Sequence, residues 1–213
     1  MKRMPDNFVD ITFTSPPYNR KRNDKYEHYE DTKEDFYEFL VETTDEMLRV
    51  TKGNVFINIQ KNYYNKADVF KYIGAYCDKI TEMFIWEKSN PLPASGASIT
   101  NAWEFVIVLG DTIKSNTTYT KNHITTSVNP DTNTLHKAMM HKDVANFFIE
   151  KFTNRGDIVY DPFSGSGTTA LCAVENGCQY LGSEISEEYC KLSQEKISGC
   201  SPRNNKMNSI VSW

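Results

Sequence analysis

Apolar residues along this chain follow two periods. Short runs of two-residue period or continuous apolar character occur at "VDITF" (9–13), "VFINI" (55–59), "EMFIW" (82–86), "EFVIVL" (104–109), "IVY" (158–160) and "YLGSE" (180–184). Their length and β-branched or aromatic content predict strands. Between them the period changes to 3.6. Phe36, Phe39, Leu40, Met47 and Val50 stripe one helix, with Thr32 and Asp35 as a capping-box-like start and Gly53 as its stop. A second helix over 66–79 carries Val69, Phe70, Ile73 and Cys77 on one side. Further helices are predicted at "KDVANFFIEKFTN", at "TTALCAVEN" and near 187–197. Strands alternating with helices predict an α/β domain with a mostly parallel, doubly wound sheet and ligand sites at the carboxyl ends of its strands. Residues 111–135, rich in Thr and Asn, lack periodicity and read as a loop or small recognition insert. A single domain over 1–200 and a weakly ordered tail over 201–213 complete the expected layout.

Composition narrows the class. With 213 residues, 39% hydrophobic and 24% charged, the chain can bury a proper core. Its longest strongly apolar run, "FVIVL", is too short to span a bilayer, and no signal-length apolar stretch follows the basic start "MKRMPDN". Five cysteines, odd in number and without CxxC spacing, read as reduced thiols, so a cytoplasmic protein is expected. The four histidines show no metal-ligand spacing. A net charge of −4 gives no global field for nucleic acid. The local exception is "NRKRNDK" (19–25), where Arg20, Lys21, Arg22 and Lys25 outnumber Asp24 and form a candidate phosphate contact.

That basic cluster follows "FTSPPYN" (13–19). Pro16 and Pro17 lack N–H groups and hold φ fixed, so the first strand must leave its sheet as a stiff extended loop. Such a loop presents carbonyl acceptors and few donors, with Ser15 before it and Tyr18 after it. It suits a ligand that brings N–H groups and a flat face.

A second motif lies in "GDIVYDPFSGSGTTALCAVENGCQYLGSEI" (156–185): strand, Gly165-Ser166-Gly167, helix, strand, and Glu184 at its end. Glycines at a helix N-terminus let a ligand approach the backbone, and an acid about 20 positions on is placed to meet ribose hydroxyls. One GxG in place of GxGxxG argues against a dinucleotide. Asp161, closing the strand, suits a ligand with an amino group or other cationic centre.

"DPFSGSGTT" resembles the S-adenosylmethionine loop, and "TSPPYN" the catalytic loop, of amino-group DNA methyltransferases, which modify cytosine N4 or adenine N6. Catalytic loop before cofactor loop is the permuted order of the β-type enzymes. "PDNFVDITFTSPPYN", "WEKSNPLP", "TNAWEFVIVL" and the stretch from His136 to the glycine turn extend the likeness over nearly the whole chain. The resemblance implies a Rossmann-like class I methyltransferase fold, S-adenosylmethionine as cofactor and DNA as partner. It leaves room for a homodimer and brings in a cognate restriction endonuclease by association only. Ser15, Pro16, Pro17 and Tyr18 would be catalytic, the first two accepting hydrogen bonds from the amine of a flipped base and Tyr18 stacking on it. Asp161, Phe163, Gly165, Gly167, Thr168, Glu184 and His136 would hold the cofactor. Lys88 would reach DNA. Trp86, Asn101 and Glu104 also match the family pattern, Trp86 as a core residue. Lys137 stands where the family usually has proline after the histidine.

Ser before Pro-Pro leans toward cytosine N4, where Asp would lean toward adenine N6. The alternatives are an adenine-N6 enzyme, a glutamine methyltransferase (which has the reverse motif order) and a truncated, non-catalytic DNA- or partner-binding subunit. The family carries an upstream strand ending in Gly-Asp, whereas "MKRMPDNF" reads as the last turn of the helix after it. Either the start is internal or an edge strand beside the cofactor's adenine is lost, with "SIVSW" as a candidate substitute.

Overall fold

The computed structural model describes residues 1–19, 33–91, 99–128 and 140–200, and the backbone of 208–212. The elements are β1 (Ile11–Thr14), α1 (Phe36–Val50), β2 (Val55–Ile59), α2 (Lys66–Ala75), β3 (Ile80–Lys88), β4 (Trp103–Leu109), β5 (His123–Thr126), α3 (Lys142–Phe152), β6 (Ile158–Asp161), α4 (Thr168–Glu175), β7 (Gln179–Glu184), α5 (Glu187–Ser198) and β8 (Asn208–Ser212). All eight strands form one sheet in the order β5-β3-β4-β2-β1-β6-β7-β8. Among the described strands only β4 runs against the others, pairing antiparallel with β2 and β3. The remaining pairs are parallel.

β1 and β2 are buried along their whole length because helices cover both faces of the sheet centre. On one face, Phe148 of α3 meets Phe13, Phe56 and Phe84 at ring-centroid distances of 5.2, 5.4 and 5.1 Å. Ala170, Cys172 and Ala173 of α4 join that cluster. On the other face, Phe36, Leu40 and Met47 of α1 and Val69 and Tyr72 of α2 pack on Val55, Ile57, Ile59, Phe105 and Ile107. Period-2 alternation along β2 therefore feeds two cores at once.

Several expectations change. α1 starts after Asp35, whose side chain makes no capping bond, and Thr32 lies outside the described residues. The same helix ends at Val50, with Thr51 extended as its cap, so Gly53 does not stop it. Gly53 is needed for a different reason: a Cβ there would sit 2.8 Å from the Asp10 carbonyl oxygen. On α2 the buried side is Val69 and Tyr72, continued by Tyr76, while Phe70 is 55% exposed and Cys77 exposed. Tyrosines supply that stripe because their rings bury while their hydroxyls find partners, Tyr72 at Thr44 and Tyr76 at Asp45. The 111–135 stretch is not all loop. It contributes β5, an edge strand pairing with β3 through Trp86↔Ile124, and residues 129–135 lie outside the described set. Nor is the tail formless: β8 pairs with β7 from Tyr180↔Asn208 to Glu184↔Ser212. "SIVS" thus forms the edge strand on the Gly-rich side of the sheet.

Candidate active site

The two sequence motifs, 147 residues apart, meet because β1 and β6 are neighbours (Ile11↔Val159, Thr12↔Tyr160). Both strands end at the same sheet edge. There the Thr14 hydroxyl donates to Asp161 Oδ1 at 2.6 Å, tying the Pro-Pro turn to the glycine turn.

Asp161 is buried, and Phe163 N–H also donates to its Oδ1 at 3.0 Å. Burial pushes its carboxyl up to about 6, with the Thr14, Thr169 and Phe163 donors opposing the rise. A carboxyl held this way is one that a cationic ligand would ionise. Gly165 and Gly167 take positive φ, 50° and 80°, and Gly167 caps α4, whose first residue is Thr168. The glycines differ in purpose. A Cβ on Gly167 would lie 2.0 Å from Ser193 Oγ, so that residue admits α5, not a ligand.

Glu184 ends β7 and accepts three backbone N–H groups: Gly165 at 2.7 Å on Oε2, and Ile185 and Ser186 at 2.9 Å each on Oε1. It therefore fixes the glycine turn and the entry to α5, and a carboxylate with about four lone-pair sites still has capacity for a hydroxyl. Ile185 beside it is 60% exposed, an apolar surface at the mouth of the turn. Phe163 packs against Phe39 of α1 at 5.7 Å.

The Pro-Pro turn rests on a polar network at the carboxyl ends of β2 and β3 and the start of β4. Tyr18 OH donates to Glu104 Oε2 at 2.9 Å and receives Asn58 Nδ2 at 2.5 Å. Asn58 Nδ2 also reaches Glu104 Oε2 at 2.8 Å, and Lys88 Nζ bonds Glu104 Oε1 at 2.5 Å. Ser15 Oγ lies 2.7 Å from Tyr18 OH. The proton order follows. With its own proton committed to Glu104, the phenol receives the proton of Ser15, which leaves the lone pairs of Ser15 Oγ available as acceptors. Glu104 and Asn58 are buried, and the Lys88 side chain is 14% exposed, so its charge pairs within the protein.

Of the expected site residues, the fold brings Ser15, Pro16, Pro17, Tyr18, Asp161, Phe163, Gly165, Gly167, Thr168 and Glu184 to one edge of the sheet. Tyr18 is half-buried, its ring against the α1/α2 core and its hydroxyl in the network. Lys88 faces Glu104 where an outward reach to DNA was expected. Arg20, Lys21, Arg22, Lys25 and His136 lie outside the described residues. Trp86 is core, its indole N–H donating to Thr126 at 2.8 Å. Thr14 and Asn58 were missed. Their signal was present: a threonine and an asparagine, polar residues inside fully buried strands, near their carboxyl ends.

This architecture of parallel strands with one antiparallel strand near an edge, a glycine turn after one central strand and a Ser-Pro-Pro-Tyr turn after its neighbour defines a class I methyltransferase fold. The N6/N4 DNA methylase family model matches residues 9–195, and the chain belongs to that family. Among curated relatives, the orphan methyltransferase M.BamHII of Bacillus amyloliquefaciens is 47% identical over 62 residues, 29% of this chain and 23% of that protein. The DNA adenine methyltransferase YhdJ of Escherichia coli K12 is 25% identical over 239 residues, 92% of this chain and 79% of that protein. In the matched region the chain spans about a quarter of the length of M.BamHII. Among solved structures, the PvuII cytosine-N4-specific DNA methyltransferase superposes with a TM-score of 0.75 at 18% identity, covering 97% of this chain and 84% of that one.

Proposed function

We propose that the chain transfers a methyl group from S-adenosylmethionine to the exocyclic amine of a base flipped out of DNA, cytosine N4 by preference. The reading rests on the Thr14–Asp161 bond, through which the acceptor-rich Pro-Pro turn and the glycine turn share one sheet edge. Residues present fit the cofactor: a buried acid poised near neutrality for its ammonium, a positive-φ glycine turn at a helix start, and Glu184 for its ribose. When bound, that group supplies a methyl on a positively charged sulfur.

The chain's own residues do the rest. An aromatic amine is a weak nucleophile because its lone pair is delocalised into the ring. Ser15 Oγ and the Pro16 carbonyl accept its two N–H bonds, drawing nitrogen toward tetrahedral geometry and freeing the lone pair. Tyr18, pinned through its hydroxyl, offers ring surface to the base, which offsets part of the cost of extrusion, a few kcal/mol. After transfer the nitrogen sheds its surplus proton to water.

Ser15 in place of an aspartate supports the N4 preference, while the relationship to an adenine enzyme keeps N6 as the second reading. The test uses unmethylated DNA and methyl-labelled cofactor, followed by separation of the nucleosides. Label on N4-methylcytosine is expected. Label on N6-methyladenine alone overturns the choice of base, and cofactor binding without any transfer favours a non-catalytic subunit.

A further inference from the structure

Beside the Pro-Pro turn lies a loop that the reaction above does not use. Residues 60–65 connect β2 to α2, and two asparagines fasten them to the turn. Asn62 Nδ2 and Asn65 Nδ2 both donate to the Tyr18 carbonyl, at 2.9 and 2.7 Å. Asn65 is buried and Asn62 half-buried, so these bonds form a rigid bracket. Inside it the loop turns its largest side chains outward. Tyr63 is 80% and Tyr64 52% exposed, their rings edge-to-face at 5.3 Å. Two adjacent aromatic rings left this exposed form an apolar surface of the kind that marks a binding site.

Charge says what kind. The segment 60–71, "QKNYYNKADVFK", holds Lys61, Lys66 and Lys71 against Asp68, a local excess of two positive charges in a chain of net −4. Lys66 Nζ lies 5.6 Å from the Tyr63 ring centroid and Lys61 Nζ 5.2 Å from that of Trp103. Cations interleaved with exposed rings are the composition that tracks a nucleic acid strand, rings taking bases and lysines taking phosphates.

We propose that this loop is a second aromatic contact to DNA: Tyr63 and Tyr64 stack on nucleotides next to the extruded base, and Lys61 and Lys66 meet the adjoining phosphates. The proposal rests on the DNA methyltransferase reading and adds a contact surface to it. Because stacking accepts any base, the loop strengthens binding without selecting sequence. Its fixture to the Tyr18 carbonyl means that a strand held there is held in register with the Pro-Pro turn.

The test measures binding of a short labelled duplex of degenerate sequence by fluorescence anisotropy, with S-adenosylhomocysteine present. Four proteins are compared: wild type, Ser15→Ala, the pair Tyr63→Ala/Tyr64→Ala, and the pair Tyr63→Phe/Tyr64→Phe. Light scattering reports oligomeric state in parallel. The alanine pair is expected to weaken DNA binding about 30-fold or more, because two stacked bases lose their platforms. The phenylalanine pair should stay within about 2-fold of wild type, since it keeps both faces. Cofactor affinity should not move, and both sites are exposed enough for the variants to fold. Unchanged DNA affinity in the alanine pair overturns the proposal. So does a change in oligomeric state at constant DNA affinity per protomer, which would make this aromatic surface, with the exposed Phe70 nearby in sequence, a contact between proteins. Failure of wild type and Ser15→Ala alike to bind DNA strikes the underlying reading instead, and this one with it.

Discussion

Replacing Asp161 by asparagine separates two effects that act in opposite directions. The carboxyl is buried and its pKa is raised from 3.8 to about 6, chiefly by desolvation. Below about pH 4 both folded and unfolded forms are protonated and the burial costs nothing. Between those values the unfolded chain releases its proton first, so stability falls as pH rises. Above pH 6 the full penalty, about 3 kcal/mol, is present in the cofactor-free protein. Asparagine keeps an acceptor for Thr14 and Phe163 and carries no charge to desolvate. At pH 7.5 the variant should therefore melt higher than wild type, by about 6–12 °C at ~2–4 °C per kcal/mol for a domain of this size. Cofactor affinity should move the other way. Losing a charge-assisted bond of ~1.5–3 kcal/mol weakens binding about 10- to 100-fold at that pH. In wild type the dissociation constant should rise about tenfold per pH unit below 6, as the site must lose a proton to bind a cation; in the variant it should be flat. Differential scanning fluorimetry and calorimetry of S-adenosylhomocysteine binding between pH 5 and 8 measure both. A lower melting temperature in the variant, or parallel pH profiles, would refute the reasoning.

Three other perturbations probe the surroundings. Glu104→Leu removes the acceptor of the Tyr18 hydroxyl, so the phenol can turn its proton toward Ser15 and occupy one of the serine's lone pairs; methyl transfer should fall about 100-fold (roughly 3 kcal/mol) with cofactor affinity unchanged. Gly167→Ala drives a Cβ into Ser193 at φ 80° and should cost about 2–5 kcal/mol in urea unfolding, with Ser193→Gly restoring part of it. Deleting 208–213 removes the strand paired to β7, and at ~1 kcal/mol per backbone bond should cost about 2–4 kcal/mol, expose the β7 amides to hydrogen exchange and weaken cofactor binding. Unchanged exchange at Gly182 and Glu184 would show that β8 does not pair in solution.

How far the sequence could be read depended on where each signal was local. β2 matched its predicted limits because a five-residue apolar run between polar turns has few alternatives. The family resemblance, and the rule that ligand sites lie at the carboxyl ends of parallel strands, put the Pro-Pro and glycine turns at one site, while their adjacency came from the pairing of β1 with β6. Tertiary pairing was not legible. The tail was expected to be weakly ordered, with "SIVSW" only a candidate edge strand, because that segment has no stripe of its own; its order comes from the open edge of β7. The Thr/Asn-rich stretch hid β5 for the same reason. Phe70 was misjudged because hydrophobicity outranked geometry: Val69, Tyr72 and Tyr76 lie on the inner side of α2 and Phe70 does not. At the site, residue types with family motifs stood out, whereas Asn58 and Thr14 act through partners 46 and 147 residues away and showed only as polar intrusions in buried strands.

The proposed mechanism has Ser15 and Pro16 holding an amine against a bound sulfonium. Its most direct test is single-turnover methyl transfer to unmethylated DNA by wild type and Ser15→Ala, with cofactor and DNA affinities measured on the same preparations. Transfer to an exocyclic amine that drops about 100-fold or more in the variant, at unchanged affinities, is the predicted result. Label recovered at a ring carbon, or equal rates in the two proteins, would contradict it.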